Sequence, residues 1–290
     1  MKLLSFPLNQ DLFNVWYLEG PKNAPVIHWA HANGLNAQTY SHLLHNLSSN
    51  FSVYAWDARL HGLTQAVQNP CPVETYDAYT TDLVRMTKLL SRRHDKRIIL
   101  AGHSFGATLC LKAEEQLHKV ISKIILADPV LYTPMVSFLS KLGRFLKLKQ
   151  PELYLSQKAL YRRNQWKNRS EVYESYSKKK IFRNWSEQSL KNYINYGTNI
   201  SDAGFKLSCP PNLESEIFKA AEVEFLSSQI KNLKTETFIY FAEKGSPSFA
   251  KKTFNRSNFV KNQTVITRSN HFFPIESPTD FAEMIIKDCL

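Results

Sequence analysis

The chain is short of cysteine, of long apolar runs and of acidic residues, and each shortage removes a class of protein. Its four cysteines (Cys71, Cys110, Cys209 and Cys289) lie far apart and form no C-x-x-C pair. That spacing argues against a zinc site or a disulfide framework and suits a reducing compartment. No apolar run approaches the length of a membrane span. The opening MKLLSFPLNQ is interrupted by Pro7 and Asn9 and precedes no small-residue cleavage site, so no export signal is read there. Internal repeats, low-complexity tracts and the signatures of zinc fingers, RRM-like domains and helix-turn-helix motifs are missing as well, and nucleic acid is not an expected partner. The expectation is a soluble cytoplasmic protein that needs no metal or cofactor.

The acidic shortage is local. Lys and Arg number 37 against 25 Asp and Glu, a net charge of +12. Fourteen of those cations, against four Glu, fall between Lys141 and Lys191, so the remainder of the chain is close to neutral. A basic segment suits a solvated helical face first, and an anionic substrate or membrane surface second. At 290 residues and 43% hydrophobic the chain can bury a substantial core.

Strand-like and helix-like patterns alternate over the first 130 residues. Leu12–Leu18, Ala24–His31, Phe51–Trp56, Arg97–Ala101 and Ile121–Ala127 read as strands. Thr39–Leu47, Tyr76–Ser91 and Ala107–His118 read as helices. The alternation resumes near the C-terminus with strands at Glu236–Ala242 and Thr264–Thr267 and a helix at Pro278–Asp288. Such alternation predicts an α/β fold, a mostly parallel sheet flanked by helices. The stretch between breaks the pattern with helices at Met135–Lys147, Ser170–Lys178, Ser186–Tyr196 and Asn212–Ala221. It reads as a helical cap at 132–233, inserted into a core made of 1–131 and 234–290.

GHSFG, Gly102–Gly106, sits between the strand RIILA and the helix that follows. A serine with glycine at −2 and +2 on a strand-to-helix turn matches the nucleophile elbow. The glycines leave room where any side chain would collide with a neighbouring strand or helix. A nucleophilic Ser104 needs a base, an orienting acid and oxyanion donors. Of nine histidines, His271 alone follows the last strand and precedes the last helix, so it is the base candidate. His103 adjoins the serine, but neighbouring side chains on a tight turn diverge, and it is read as structural.

With these motifs in this order, the chain resembles the α/β-hydrolase-fold enzymes over about two-thirds of its length. The resemblance implies an acid in one of two places. The loop after the strand at Glu236–Ala242 reads FAEKGSPSF, with Gly245 where many members carry aspartate and Glu243 two residues early. The other place follows the strand after the elbow helix, where ILADPV offers Asp128; it is taken as the acid, with Glu243 as the alternative. The resemblance also implies an oxyanion hole from the backbone N–H groups of Phe105 and of Asn33 in HANG, His31–Gly34. DARLHG, Asp57–Gly62, is similar to a structural turn of the family.

Serine at the elbow argues against the reactions that need a carboxylate nucleophile. The expected activity is hydrolysis of small to medium acyl esters through Ser104, His271 and Asp128. Other triad chemistry (C–C bond hydrolysis, perhydrolysis, amide cleavage) and a non-catalytic binding protein are the alternatives. In the cap, Met135, Val136, Phe138, Leu139, Leu142, Phe145 and Leu146 share one helical face, opposite Lys141, Arg144 and Lys147. That apolar face is expected to pack on the core; lining an acyl pocket or resting on an anionic membrane are the competing readings. Tyr154, Tyr161, Trp166, Tyr173, Tyr176, Trp185 and Tyr193 suit an apolar cavity beneath the cap.

Overall fold

A computed structural model describes residues 1–8, 10–64, 73–146, 154–224 and 226–290. Cys71 and Lys147 lie outside them. The N-terminal chain forms an antiparallel pair, β1 (Lys2–Leu8) and β2 (Asp11–Leu18). Beyond β2 come β3 (Val26–Ala30), α1 (Ser41–Ser48), β4 (Ser52–Trp56), α2 (Asp77–His94), β5 (Ile98–His103), α3 (Phe105–Leu117) and β6 (Ile121–Ala127). The strand at Lys2–Leu8 carries no clean signal in the sequence, because Pro7 sits inside it. A proline is tolerated there because β1 is an edge strand, where a missing N–H is harmless.

After β6 the chain leaves the sheet. It forms α4 (Pro134–Phe145), α5 (Tyr154–Leu160), β7 (Gln165–Trp166), α6 (Arg169–Ser177) and α7 (Glu187–Tyr196), then β8 (Thr198–Ser201), β9 (Gly204–Leu207), α8 (Pro211–Val223) and α9 (Ser227–Lys231). The sheet resumes with β10 (Glu236–Lys244) and β11 (Val260–Asn270), and α10 (Phe273–Glu276) and α11 (Pro278–Cys289) close the chain. The cap helices start where capping chemistry allows. Asn168 and Ser186 each accept a hydrogen bond from a first-turn N–H, and Pro211 opens α8. The cap also holds a small sheet in the order β7-β9-β8, unforeseen because its strands are only two to four residues long.

The main sheet has eight strands in the order β1-β2-β4-β3-β5-β6-β10-β11, parallel from β4 to β11. Every residue of β3, β4 and β5 is buried, as expected for parallel strands covered on both faces. Successive side chains pass to opposite faces. Val26, Leu100, Ile124 and Ile239 pack with α2 and α3, while Ile27, Ile99, Ile125 and Tyr240 pack with α1 and α11.

The expectation for the first cap helix is overturned. Along α4 the buried positions are Ser137, Ser140 and Gly143, packed toward α8, whereas Met135, Phe138, Leu139 and Phe145 are exposed, Phe145 by 83%. The neighbour selects this face: α8 lies close enough to admit only small side chains, and Ser137 Oγ donates to the Glu224 carbonyl at 3.3 Å. The large apolar residues are left outward. Accordingly, Phe138→Ser and Phe145→Ser should leave Tm within about 1 °C of the native protein. Ser137→Leu should destabilise it by about 1–3 kcal/mol through overpacking. Thermal melts monitored by circular dichroism check both.

Candidate active site

β5 ends at His103 and α3 starts at Phe105, so Ser104 alone makes the turn, with φ 54° and ψ −117°. A side chain in that region is strained by about 1–3 kcal/mol, and the surroundings must hold it there. They do so by close contact. A Cβ on Gly106 would lie 2.2 Å from the Ala30 carbonyl oxygen, and one on Gly102 would lie 2.6 Å from the Gly106 backbone. The Ser104 N–H donates to the Ala127 carbonyl at 2.8 Å, which ties the elbow to the end of β6.

Asp128 follows immediately. Fully buried, it also has positive φ, 45°, and its N–H donates to the Tyr240 carbonyl at 2.7 Å. One carboxylate oxygen lies 2.7 Å from His271 Nδ1. The other accepts from the Ala242 N–H at 3.2 Å and from Ser246 Oγ at 2.5 Å. A buried carboxylate is tolerable when its oxygens are hydrogen-bonded, and three donors meet that requirement. With Nδ1–H given to Asp128, His271 presents an unprotonated Nε2, 3.0 Å from Ser104 Oγ. The structure therefore brings Ser104, His271 and Asp128 into one hydrogen-bonded line. Glu243 is exposed, accepts from the Arg268 N–H at 2.8 Å and stands outside it. Gly245 lines the cavity with open space around it, and its neighbour Ser246 supplies the support.

The HANG loop faces the same cavity from the end of β3. Ala32 N–H donates to Tyr40 Oη at 3.1 Å, Gly34 N–H to His61 Nε2 at 3.1 Å, and Leu35 N–H to the Ala32 carbonyl at 3.1 Å. Asn33 lies between these anchored amides, and its side-chain Nδ2 donates to the Glu214 carbonyl of α8 at 3.0 Å. Phe105 is the first residue of α3, where a helix leaves its leading N–H groups without intrahelical partners. Asn33, Ser104 and Phe105 all line one cavity of about 450 Å³.

DARLHG fixes the loop. Asp57 accepts from the N–H groups of Ala37 and Leu63, at 2.9 and 3.0 Å, and His61 holds Gly34. His31 Nε2 accepts the Ala58 N–H at 3.0 Å while Nδ1 donates to the Ala32 carbonyl at 2.8 Å. Both histidines serve as one donor and one acceptor, so both are neutral. Burial pushes His31 down to about 3 and His61 to about 4. Their part in shaping the loop was missed from sequence, although two histidines in turns that flank parallel strands were the signal.

The cap contributes Arg162, paired with Glu214 and donating to Tyr193 Oη at 3.0 Å and Tyr176 Oη at 3.3 Å. Tyr154, Trp185 and Tyr193 line the cavity; Trp166 and Tyr176 pack beneath them, and Tyr161 points outward, 77% exposed. Among the described residues no cluster of His, Cys, Asp or Glu could hold a metal.

The buried histidines set an acid limit on stability. His28 and His31, pushed to about 3, and His61, pushed to about 4, bind fewer protons folded than unfolded, where 6.5 is usual. Their contribution is whole above pH 6.5 and is lost as pH falls toward 4, at about 1.4 kcal/mol per unit of depression. Asp57, raised by burial to about 6, opposes this over pH 6 to 4, as do Asp82 and Glu214, also raised by burial, while His103 and His94, lowered by burial, add to the histidine side. Tm should therefore be lower at pH 4.5 than at pH 7 by about 5 °C or more, as calorimetry would show.

Residues 21–208, more than half of the chain, match the family model described as serine aminopeptidase, S33. A 2-(acetamidomethylene)succinate hydrolase from Mesorhizobium japonicum is 28% identical over 116 residues, 39% of this chain and 38% of that protein. The chain thus spans well under half the length of that curated relative. Among solved structures, an E-2-(acetamidomethylene)succinate hydrolase superposes with TM-score 0.74 at 17% identity, over 99% of this chain and 98% of that one. The thioesterase domain from the curacin biosynthetic pathway superposes with TM-score 0.77 at 15% identity, over 99% of both. These two likenesses concern the fold. Sheet order, elbow and family match lead to one conclusion: the chain belongs to the serine aminopeptidase S33 family of α/β-hydrolase-fold enzymes.

Proposed function

We propose that the protein is a serine hydrolase of small to medium acyl esters. The observation that carries the reading is the line Asp128–His271–Ser104 opening on a mostly apolar cavity of about 450 Å³. Ser104 Oγ attacks the acyl carbon while His271 Nε2 takes its proton. The amides of Asn33 and Phe105 receive the developing oxyanion. The intermediate collapses to an acyl-enzyme, and His271 passes its proton to the departing alkoxide, releasing the alcohol. Water, deprotonated by the same nitrogen, attacks the acyl-enzyme; His271 returns the proton to Ser104 Oγ as the carboxylic acid leaves. Asp128 stays ionised and stabilises the imidazolium formed at each step.

Other acyl chemistry on the same residues is the second reading. It is favoured by the curated relative, whose name specifies an acetamido compound. Product analysis on matched ester and amide substrates separates the two. A fluorophosphonate probe should label the native protein and leave Ser104→Ala unlabelled; an unlabelled native protein defeats the reading. On p-nitrophenyl esters, Asp128→Asn should lower kcat by roughly 10⁴-fold and Glu243→Gln by less than about twofold.

The outward face of α4 supports a proposed partner, an anionic lipid surface. Phe138, Leu139, Leu142 and Phe145 would enter the acyl boundary, and the basic segment Lys141–Lys191 would meet the headgroups. No helix among the described residues is long and apolar enough to cross a membrane, so contact would be peripheral. Co-sedimentation with vesicles containing phosphatidylserine should occur at low salt and weaken at high salt, and Phe138→Ser/Phe145→Ser should abolish it. A native protein that stays in the supernatant at low salt removes the proposal. Self-association of the native protein, read by light scattering and lost in the same variant, would assign the face to a second copy instead.

A further inference from the structure

His103 follows from the pentapeptide but not from the triad, and its position shows what it holds. Its side chain is fully buried and does not line the cavity. Nε2 lies 2.8 Å from the backbone carbonyl of His271, and a carbonyl can only accept, so Nε2 carries the proton. Nδ1 is then the acceptor, and Tyr40 Oη, 2.7 Å away, must donate its hydroxyl proton to it. The Tyr40 oxygen in turn accepts the Ala32 N–H at 3.1 Å. Every proton in the chain Ala32 N–H to Tyr40 to His103 to His271 C=O is thereby placed, with no free choice of tautomer.

We propose that Tyr40 and His103 form a positioning relay that locks the oxyanion loop and the main chain of His271 to each other across the elbow. This inference rests on the serine-hydrolase reading. One end of the relay is the amide immediately before Asn33, the other the carbonyl of the residue whose ring serves Ser104. Neither relay residue touches the substrate. Burial keeps both neutral over the working range, pushing His103 well below and Tyr40 above their ordinary values, with His271 lowering His103 further. The rings seat the relay: Tyr40 meets Trp29 at 5.3 Å, and His103 meets His271 at 4.8 Å and Phe273 at 6.4 Å. A relay of this kind fixes the distance between where negative charge develops and where the proton is taken. An error of about 1 Å there is enough to lower the rate of the chemical step about 10²-fold.

Tyr40→Phe keeps the ring and removes both hydrogen bonds. In the full-length protein assayed on a p-nitrophenyl ester, it should lower kcat about 10–100-fold and change KM by less than about threefold, with Tm within a few degrees of native. His103→Gln, which retains a donor and an acceptor, should keep at least tenfold more kcat than His103→Leu. The imidazole nitrogens of His103, read by ¹⁵N NMR in the native protein, should show Nε2 protonated and Nδ1 bare. A folded Tyr40→Phe with native kcat, a change confined to KM, or the opposite tautomer would each overturn the relay. Where Tyr40→Phe melts below the assay temperature, the glutamine–leucine comparison decides, and equal rates overturn the relay. A native protein that neither labels with fluorophosphonate nor turns over any ester overturns the hydrolase reading and the relay's catalytic role together. Activity in the native protein with failure of the relay tests overturns the relay alone.

Discussion

The approach of Gly106 to the Ala30 carbonyl is the contact on which the site depends. It places the first turn of α3 against the end of β3, with no room for a methyl group between them. Because of it, the turn at Ser104 and the loop that starts at His31 share one small volume, and the strained backbone of Ser104 has nowhere to relax. The parallel register does the rest. Ala30 pairs with Gly102 and His103 with Ala127, so three strands end at one level and their following loops converge. Asp128 enters the site because β6 ends there, and His271 because β11 does.

Around that contact the polar groups are satisfied in a closed pattern. Asp57 and the buried histidines each hold backbone amides or carbonyls of loops that have no regular ladder of their own. A loop buried under a cap cannot rely on water for its N–H and C=O groups, so side chains replace it. Charge is used sparingly in this pattern. The buried carboxylates of Asp128 and Glu214 face a histidine and an arginine, while the histidines that hold the loops are neutral.

Much of this was legible in the residues. The parallel core, the elbow and the position of His271 follow from period-2 and period-3.6 patterning around GHSFG, because local signals and tertiary placement agree there. Asp128 was legible as a carboxylate at a strand end, and its contact with His271 follows from where β6 and β11 stop. The short cap strands were not legible, being too brief to show alternation. Nor was the orientation of α4, since an amphipathic pattern specifies that a face exists but its partner decides which face turns inward. The reach of His103 was hidden for a similar reason: adjacency to Ser104 says only that the side chains diverge, and what lies on the far side depends on Tyr40, sixty-three residues earlier.

The inverted seating of α4 also bears on motion. A helix is anchored by the apolar area it removes from water, and among its described side chains α4 buries Ser137, Ser140 and Gly143 alone. The main sheet, by contrast, buries every residue of β3, β4 and β5. Elements that bury little apolar area are the ones that open locally below the free energy of global unfolding. Tyr132, two residues before α4, lines the cavity, so this lightly anchored helix begins at the cavity's edge.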